Sequence, residues 1–204
     1  MIFISNSNDA KNDISIRPSQ ASDIQSMVEM SYQKRRLYEK AQPQFWKYTG
    51  EEGDNSQRIW FKELLEDKNY LMFTATSRCK PKSGKAAQEN NDSLTALDLS
   101  DNEKVKSSGD EKVLGFIIGK LITAPEVYNP GGLTLMVDDF CVNCESLWRS
   151  VGAELIKSVR TSAKAKGASQ ILVVCGAHDY PKRNFLKEQN LSIASEWFVG
   201  GILE

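Results

Sequence analysis

Four residues in two pairs have the types and the spacing of a metal site. Cys141 and Cys144 form C-x2-C, and Cys175 and His178 form C-x2-H. Thiolate and imidazole are the ligands of structural zinc, so a zinc-stabilised interaction domain is one hypothesis. Cys141 and Cys175 lie in strongly apolar runs, however, where a free cysteine commonly acts as a small hydrophobe. We therefore expect no metal and keep the zinc site as the less favoured alternative.

The first pair also lies in a segment that suggests different chemistry. Residues 138–156, DDFCVNCESLWRSVGAELI, run from an apolar strand through a short loop into a helix. A loop that enters a helix presents unpaired backbone N–H groups and the positive end of the helix dipole. Such a loop binds phosphate without needing charged side chains. The segment therefore predicts a site for a phosphate-bearing ligand.

The composition argues against several classes of protein. The 204 residues include 26 basic and 27 acidic ones, a balance that predicts neither a nucleic-acid nor a membrane partner. The most apolar windows, VLGFIIGKLI and ILVVCG, are too short to span a bilayer. MIFISNSNDAKND lacks the basic region and the apolar run of a secretion signal. Four cysteines in such a chain indicate reduced thiols and predict a cytoplasmic location.

Hydrophobic periodicity predicts the strands and helices that would position the loop. Strands are expected at residues 14–16, YLMFTAT, KVLGFIIGKLI, LTLMVDDFCV and ILVVC, with a last one in LSIASEWFVGGI. Helices are expected from near Ser22 to before Pro43, from Asn55 or Ser56, from Leu147 to Lys166, and from about Pro181. The strand–helix–strand unit over residues 133–175 should place its two strands parallel to each other.

Single residues predict local features within these elements. Gly115 and Gly119 indicate bulges or close backbone approaches in the third strand. Gly167 should end the helix that begins at Leu147. Apolar residues recur in that helix at four-residue steps, which predicts one buried stripe: Leu147, Val151, Leu155, Val159 and Ala163.

One long segment interrupts the pattern. Residues 79–112 contain no aromatic residue and few branched aliphatic residues, whereas Ser, Asn, Asp, Lys and Gly are frequent. Such a segment cannot bury enough apolar surface to offset an ordering cost of roughly 1–2 kcal/mol per residue. We predict a disordered insertion between two paired strands of one domain over residues 13–204, after a flexible N-terminus over residues 1–12.

The order of the elements resembles that of the GNAT acyltransferases over nearly the whole chain. IRPSQASDIQSM is similar to that family's opening strand and helix, VLGFIIGKL to its third strand, and LMVDDFCV to its fourth. DYPKRNFLKEQNLSIASEW is similar to its closing helix and strand. The resemblance implies an α/β fold, a single-domain mixed twisted sheet with helices on both faces. It also implies acyl transfer from acetyl-CoA to an amine.

The resemblance implies that the loop within residues 138–156 binds the pyrophosphate of acetyl-CoA. The family motif is Gln or Arg, two residues, Gly, one residue, then Gly or Ala, and it corresponds to Leu147, Ser150 and Gly152. Only Gly152 matches fully, and Trp148 stands where a glycine is frequent, but the backbone N–H groups remain. The implied cofactor-binding residues are Phe140, Cys141 and Val142 at the thioester, Leu147, Trp148, Arg149, Ser150, Val151, Gly152 and Ala153 at the phosphates, and Asp179 at the cofactor arm.

The implied catalytic residues follow the family less closely. In the family the backbone near a bulge in the fourth strand polarises the thioester, and Asp139 beside it could take a proton from the incoming ammonium. An ordinary polar residue near a strand end is the alternative for Asp139. The family's frequent proton donor, a tyrosine, corresponds here to Leu186, which has no proton to donate. Tyr180 could replace it, although a solvated loop tyrosine is the favoured interpretation, and Asp179 could equally cap a helix.

The acceptor site implied by the resemblance lies along the first two helices. YQKRRLYEKAQPQFWKYT mixes basic and aromatic side chains there: Tyr32, Arg35, Arg36, Tyr38, Phe45 and Trp46. Basic side chains along the acceptor site suit an anionic acceptor or the surface of a protein partner. A solvated helix anchored to the core by aromatic residues is the favoured alternative.

Together these patterns predict a GNAT-type N-acetyltransferase that uses acetyl-CoA as cosubstrate and modifies an amine of a small molecule or protein. A CoA-binding regulatory module that has lost catalysis is the first rival, suggested by Leu147, Trp148 and Leu186. The zinc-stabilised domain is the second. No nucleic-acid or membrane partner is expected, and the sequence is compatible with a dimer.

Overall fold

Strands and helices follow one another along the chain largely in the order that the periodicity predicts. The computed structural model describes residues 14–78 and 111–202. The strands are β1 (Ile14–Pro18), β2 (Tyr70–Arg78), β3 (Glu111–Ile122), β4 (Leu133–Val142) and β5 (Ala168–Val173). The helices are α1 (Ile24–Ala41), α2 (Glu51–Glu66), α3 (Ala153–Ala165) and α4 (Tyr180–Glu188). The predicted flexible residues 1–12 and residues 79–110 of the predicted insertion lie outside the described residues.

The five strands form one mixed sheet in the order β1-β2-β3-β4-β5. The pairs β1/β2, β2/β3 and β3/β4 are antiparallel, whereas β4 and β5 are parallel. The parallel pair is the one that the strand–helix–strand unit predicts, because a helical crossover returns the chain to the same end of the sheet.

Helices cover both faces of the sheet, as predicted. On one face, α1 and α2 bury Met27 and Phe61 against Phe116 of β3. On the other face, α3 and α4 bury Leu155 and Phe185 against the opposite side chains of the same strands. None of the described helices is long and apolar enough to cross a membrane.

The buried stripe of α3 is confirmed, but the helix begins later than predicted. Val151, Leu155, Val159 and Ala163 are buried, and Leu147 is partly buried. Each fully buried leucine contributes about 1.5–3 kcal/mol relative to an exposed one. The first two turns are irregular, a 3-10 turn over Glu145–Leu147 and a π turn over Trp148–Gly152, and α-helix follows from residue 153. Gly167, with a φ of 86°, ends the helix as predicted.

The irregularities predicted at Gly115 and Gly119 are confirmed. The register between β2 and β3 shifts next to Gly115, and the register between β3 and β4 shifts next to Gly119. A Cβ atom on Gly115 would lie 2.8 Å from the carbonyl oxygen of Cys141. Glycine therefore allows β3 and β4 to approach closely at this point.

Two predicted boundaries are wrong. α2 begins at residue 51 rather than at Asn55 or Ser56, because Gly50 turns the chain with a φ of 77°. Acidic residues then occupy the first turn, where the positive end of the helix dipole stabilises them. The insertion predicted up to residue 112 ends earlier, because Lys112 pairs with Ser77 in the ladder between β2 and β3.

The strand predicted within residues 191–202 is also wrong. The chain leaves α4 at Asn190, whose φ of 60° is a left-handed helix end, and continues without strand or helix. Trp197, Phe198 and Ile202 are exposed. The composition of this segment favours a strand, but a strand also requires a partner edge, which local composition does not specify.

Candidate active site

β4 and β5 pair along only half the length of β4. Their ladder ends where Val137 pairs with Val173, and one further bond joins Val174 N to Val137 O at 2.9 Å. β4 then continues to residue 142, whereas the chain after Val174 leaves the ladder and runs to α4. We call the opening between residues 138–142 and residues 174–179 the split. Ligands of α/β sheets bind beyond the carboxyl ends of such strands.

A bulge in β4 lies at the start of the split. Ile118 pairs with Asp139 and Gly119 pairs with Val137, so Asp138 is an extra residue on β4. Bulges re-aim side chains and are frequent next to active sites. The backbone of β4 therefore changes direction at the point where it loses β5 as a neighbour.

An ion pair joins α1 to the β4 side of the split. Lys34 Nζ lies 2.8 Å from Asp139 Oδ1, and both side chains are largely buried. Burial alone would raise the pKa of Asp139, but the Lys34 ammonium holds that pKa below its ordinary value. Asp139 also raises the pKa of Lys34 against the effect of burial. Asp139 is thus an ionised carboxylate already engaged by a cation.

One turn further along α1, Tyr38 reaches the other side of the split. Its hydroxyl donates to Asp179 Oδ2 at 2.7 Å and accepts from the backbone N–H of Gly176 at 3.2 Å. Burial and the neighbouring Asp179 carboxylate raise the pKa of Tyr38. A Cβ atom on Gly176 would lie 2.8 Å from Cζ of the tyrosine ring, so glycine allows this contact. Through Lys34 and Tyr38, α1 spans the split from one side to the other.

On the opposite face of the sheet, α4 closes the split. Asp179 caps this helix, since its Oδ1 accepts from the backbone N–H of Lys182 at 3.2 Å. Phe185 and Leu186 are buried in the core, and the Lys182 side chain is buried beside Phe140 of β4. The capping interpretation of Asp179 is therefore confirmed, while its contact with a cofactor arm stays a prediction.

The predicted phosphate loop uses several of its backbone donors within itself. Leu147 N donates to Cys144 O at 3.0 Å, and Trp148 N donates to the carbonyl of Glu145. Ala153 N donates to the carbonyls of Ser150 and Trp148. The N–H groups of Leu147, Trp148 and Ala153 are thus partnered. Residues 149–152 lie within the π turn, and of these Arg149 and Ser150 are exposed.

The ring of Trp148 packs into the core. It stacks on Phe185, with ring centroids 5.2 Å apart, and meets Phe140 edge-on at 4.9 Å. A Cβ atom on Gly152 would lie 2.9 Å from the indole and 3.3 Å from Phe185. Gly152, the one full match to the family motif, therefore also makes room for the tryptophan that departs from it.

Two polar side chains of the same loop already have partners. Arg149 forms two bonds to the Glu188 carboxylate, at 3.1 and 2.7 Å, on the exposed surface. Ser150 is exposed, and its hydroxyl lies 3.5 Å from Leu147 O. A phosphate at this loop would compete with Glu188 for Arg149.

The two Cys/His pairs do not come together. Cys141 packs with α1 and α2 in the core, Cys144 is exposed beside Ser146, and Cys175 points toward the carbonyl of Gly176. Within residues 14–78 and 111–202, no three His, Cys, Asp or Glu residues are grouped so that they could hold a metal ion. The zinc hypothesis thus gains no support from the fold.

The two predicted proton-transfer groups lie in unequal environments. Tyr180 is 63% exposed at the first residue of α4, with the ring of His178 6.4 Å away. Asp139 lies inside the split, bound to Lys34. The position of each residue does not show whether it takes part in catalysis, so both assignments stay predictions.

Several residues of the predicted acceptor site pack against, or bond to, other residues of the protein. Tyr38 packs against Trp46, which packs against Phe45. Arg35 bonds to Asp54 and Gln57 of α2. This pattern agrees with the anchoring interpretation of these residues. The outer part of α1 borders an open depression, lined by Tyr32, Gln33, Arg36, Leu37, Glu39, Lys40 and Pro43.

Sequence reasoning missed three residues that line the split: Lys34, Asp138 and Lys182. Lys34 and Asp139 are 105 positions apart, so no local spacing connects them. Lys182 precedes Leu186 by one helical turn, and this spacing is a signal that the sequence does contain.

No protein-family model matches the chain, and no curated protein matches it by sequence. Solved structures do match. A mutant of the BH1408 protein from Bacillus halodurans has a TM-score of 0.65 and 11% identity, over 93% of this chain and 99% of that chain. A transcriptional regulator from Bacillus halodurans gives 0.58 and 14%, over 93% and 99%. A predicted acetyltransferase from Clostridium acetobutylicum, solved with acetyl-CoA, gives 0.56 and 15%, over 92% and 96%.

Most of the similar solved structures are acetyltransferases. The fold is that of the GNAT acyltransferases. The mixed sheet with helices on both faces thus confirms the fold class that the sequence predicts. Identities of 9–15% carry no information on the acceptor, because function resides in the site and not in the fold.

Proposed function

We propose that the protein transfers an acetyl group from acetyl-CoA to an amine. The observation that carries the proposal is the split, where residues 138–142 of β4 continue beyond the ladder with β5. A strand edge without a neighbouring strand can bind an extended ligand through its backbone groups. The Clostridium structure with the same fold was solved with acetyl-CoA, which supports this choice of ligand.

In this proposal the extended arm of acetyl-CoA lies along residues 138–142, with the thioester near Phe140, Cys141 and Val142. The pyrophosphate meets the backbone of the turn over residues 149–152, within the predicted stretch from Leu147 to Ala153. Asp179, at the other side of the split, contacts the arm. Backbone N–H groups of β4 stabilise the oxyanion of the tetrahedral intermediate.

Two adjacent carboxylates can take the proton of the incoming ammonium. Lys34 holds the pKa of Asp139 low, whereas partial desolvation and the charge of Asp139 raise the pKa of the exposed Asp138. The carboxylate with the higher pKa is the stronger base, so Asp138 is favoured and Asp139 is the alternative. The thiolate of CoA then takes a proton from Tyr180 or from water.

A charge placed in the loop tests where the phosphates bind. Ser150→Asp adds a carboxylate to the turn over residues 149–152, and Thr161→Asp adds one to an exposed position further along α3. We expect Ser150→Asp to weaken acetyl-CoA binding by about tenfold or more, since an added like charge costs at least about 1.4 kcal/mol there. Titration calorimetry measures both variants. Equal affinities would show that the phosphates bind elsewhere.

Catalysis requires its own measurement. Thiol release from acetyl-CoA, followed with a panel of small amines and basic peptides, detects transfer whichever amine accepts the group. Asp138→Asn and Asp139→Asn then identify the base, because loss of the base removes the acidic limb of the pH profile while the limb due to the acceptor amine remains. Binding of acetyl-CoA without thiol release from any acceptor would argue against the enzyme.

Binding of acetyl-CoA without thiol release would favour a CoA-binding regulatory module. Two observations support this second candidate. Leu186, where the resemblance implies a proton donor, is buried in the core and has no hydroxyl. One solved structure of the same fold is described as a transcriptional regulator.

A further inference from the structure

Lys182 is a buried lysine within the split. Its side chain extends from the first turn of α4, and the residue is 1% exposed. Nζ donates to Val174 O at 3.0 Å, next to the last bond between β4 and β5. On the β4 side, Nζ lies 5.6 Å from the centre of the Phe140 ring. The amine therefore lies between the two strands at the point where they separate.

The ammonium form of Lys182 has no carboxylate partner among the described residues. Val174 O is its one hydrogen-bond acceptor there. Asp179, three residues before it, accepts bonds from the Tyr38 hydroxyl and from the Lys182 backbone N–H. Burial and the Lys34 ammonium both lower the pKa of Lys182. Desolvation and a neighbouring positive charge are two ways in which a lysine amine is activated as a nucleophile.

The position of Lys182 also matches that of the reacting groups. Leu186, four residues later on the same face of α4, corresponds to the family's proton donor. Phe140, which the Lys182 amine faces, is one of the residues at which the proposed function puts the thioester. An acyl thioester in the split would therefore approach the amine of Lys182.

We propose that Lys182 is an internal acyl acceptor, which takes one acyl group from the thioester bound in the split. This inference rests on the proposed binding of acetyl-CoA. The neutral amine attacks the thioester carbonyl, a C–N bond forms, and the C–S bond breaks. The amine proton passes to the departing thiolate, so the products are an amide on Lys182 and free CoA thiol. The amide is stable, so the reaction occurs once per chain.

The test needs no external acceptor. The full chain is incubated with acetyl-CoA, the intact mass is recorded, and the acetylated peptide is identified. We expect one acetyl group per chain on Lys182 and one equivalent of released thiol. Lys182→Arg abolishes both, whereas Lys187→Arg, at an exposed position of the same helix, leaves both unchanged.

The pH dependence separates Lys182 from surface lysines. Because its pKa is lowered, a larger fraction of Lys182 is neutral near pH 8. Its acetylation near pH 8 should therefore be faster than that of Lys187 and should persist to lower pH. Equal rates at the two lysines would indicate non-specific chemistry and overturn the inference. If Lys182→Arg does not fold, Lys182→Met serves as the second variant.

The remaining outcomes separate this inference from the proposed function. Binding of acetyl-CoA by calorimetry with an unmodified Lys182 would overturn the inference and leave the proposed function intact. Failure to bind acetyl-CoA would overturn both. Acetylation of Lys182 without transfer to any amine would support the inference and favour the regulatory module over the enzyme.

Discussion

On the α1 side of the split, the Lys34 ammonium meets the Asp139 carboxylate at 2.8 Å. On the α4 side, Lys182 meets a backbone carbonyl, that of Val174, at 3.0 Å. Both lysines are withdrawn from water, yet pairing raises the pKa of Lys34 and burial lowers that of Lys182. A buried amine with a carboxylate is a structural cation, whereas one without is free to react.

The largest expected effect comes from breaking the pair on the α1 side. Lys34→Met leaves the Asp139 carboxylate largely buried without its cation, which should cost about 3 kcal/mol of unfolding free energy. Urea denaturation measures the loss, and Lys40→Met, at an exposed position of α1, is the control. A loss no larger than that of the control would mean that Lys34 and Asp139 are solvated independently.

The cost of Lys34→Met should depend on pH. The pKa of Asp139 is lowered in the folded protein, so its contribution is present above the unfolded pKa of about 3.9 and is lost as pH falls through the folded pKa. Wild type and Lys34→Met should therefore converge in stability below about pH 4. Urea midpoints at several pH values check this. A difference in stability between the two proteins that stays constant down to low pH would contradict the pairing.

A smaller effect is expected where α1 reaches the other side of the split. Tyr38→Phe removes the donor to Asp179 and the acceptor for Gly176 N, which should cost about 1–3 kcal/mol. Tyr128→Phe, at a 71% exposed position, is the matched control for loss of a hydroxyl. Thermal unfolding compares the two, and equal midpoints would show that the Tyr38 bonds add no net stability.

The smallest effect is expected from the lysine without a carboxylate. Lys182→Met removes one hydrogen bond to Val174 O but also removes the cost of burying an amine, so the two terms offset. We expect a change of about 1 kcal/mol or less in unfolding free energy. Urea denaturation beside Lys34→Met gives the comparison directly. Equal losses in the two variants would remove the distinction between the lysines.

Local patterns were sufficient for much of the fold. The stripe of α3 follows from four-residue spacing, and the helix end at Gly167 follows from the preference of glycine for positive φ. The parallel pairing of β4 with β5 follows from the helix between them. By contrast, nothing local reveals whether residues 191–202 find a strand to pair with, and that prediction was wrong.

The sequence by itself determined the elements, their order and the loop that could meet a phosphate, because backbone preferences and apolar spacing act over a few residues. Only the tertiary structure decided the charges inside the split. Lys34 and Asp139 are 105 residues apart, and Tyr38 and Asp179 are 141 apart. Which ammonium gains a carboxylate depends on which side chains the packed sheet and helices bring together, and the pKa of each lysine follows from that contact.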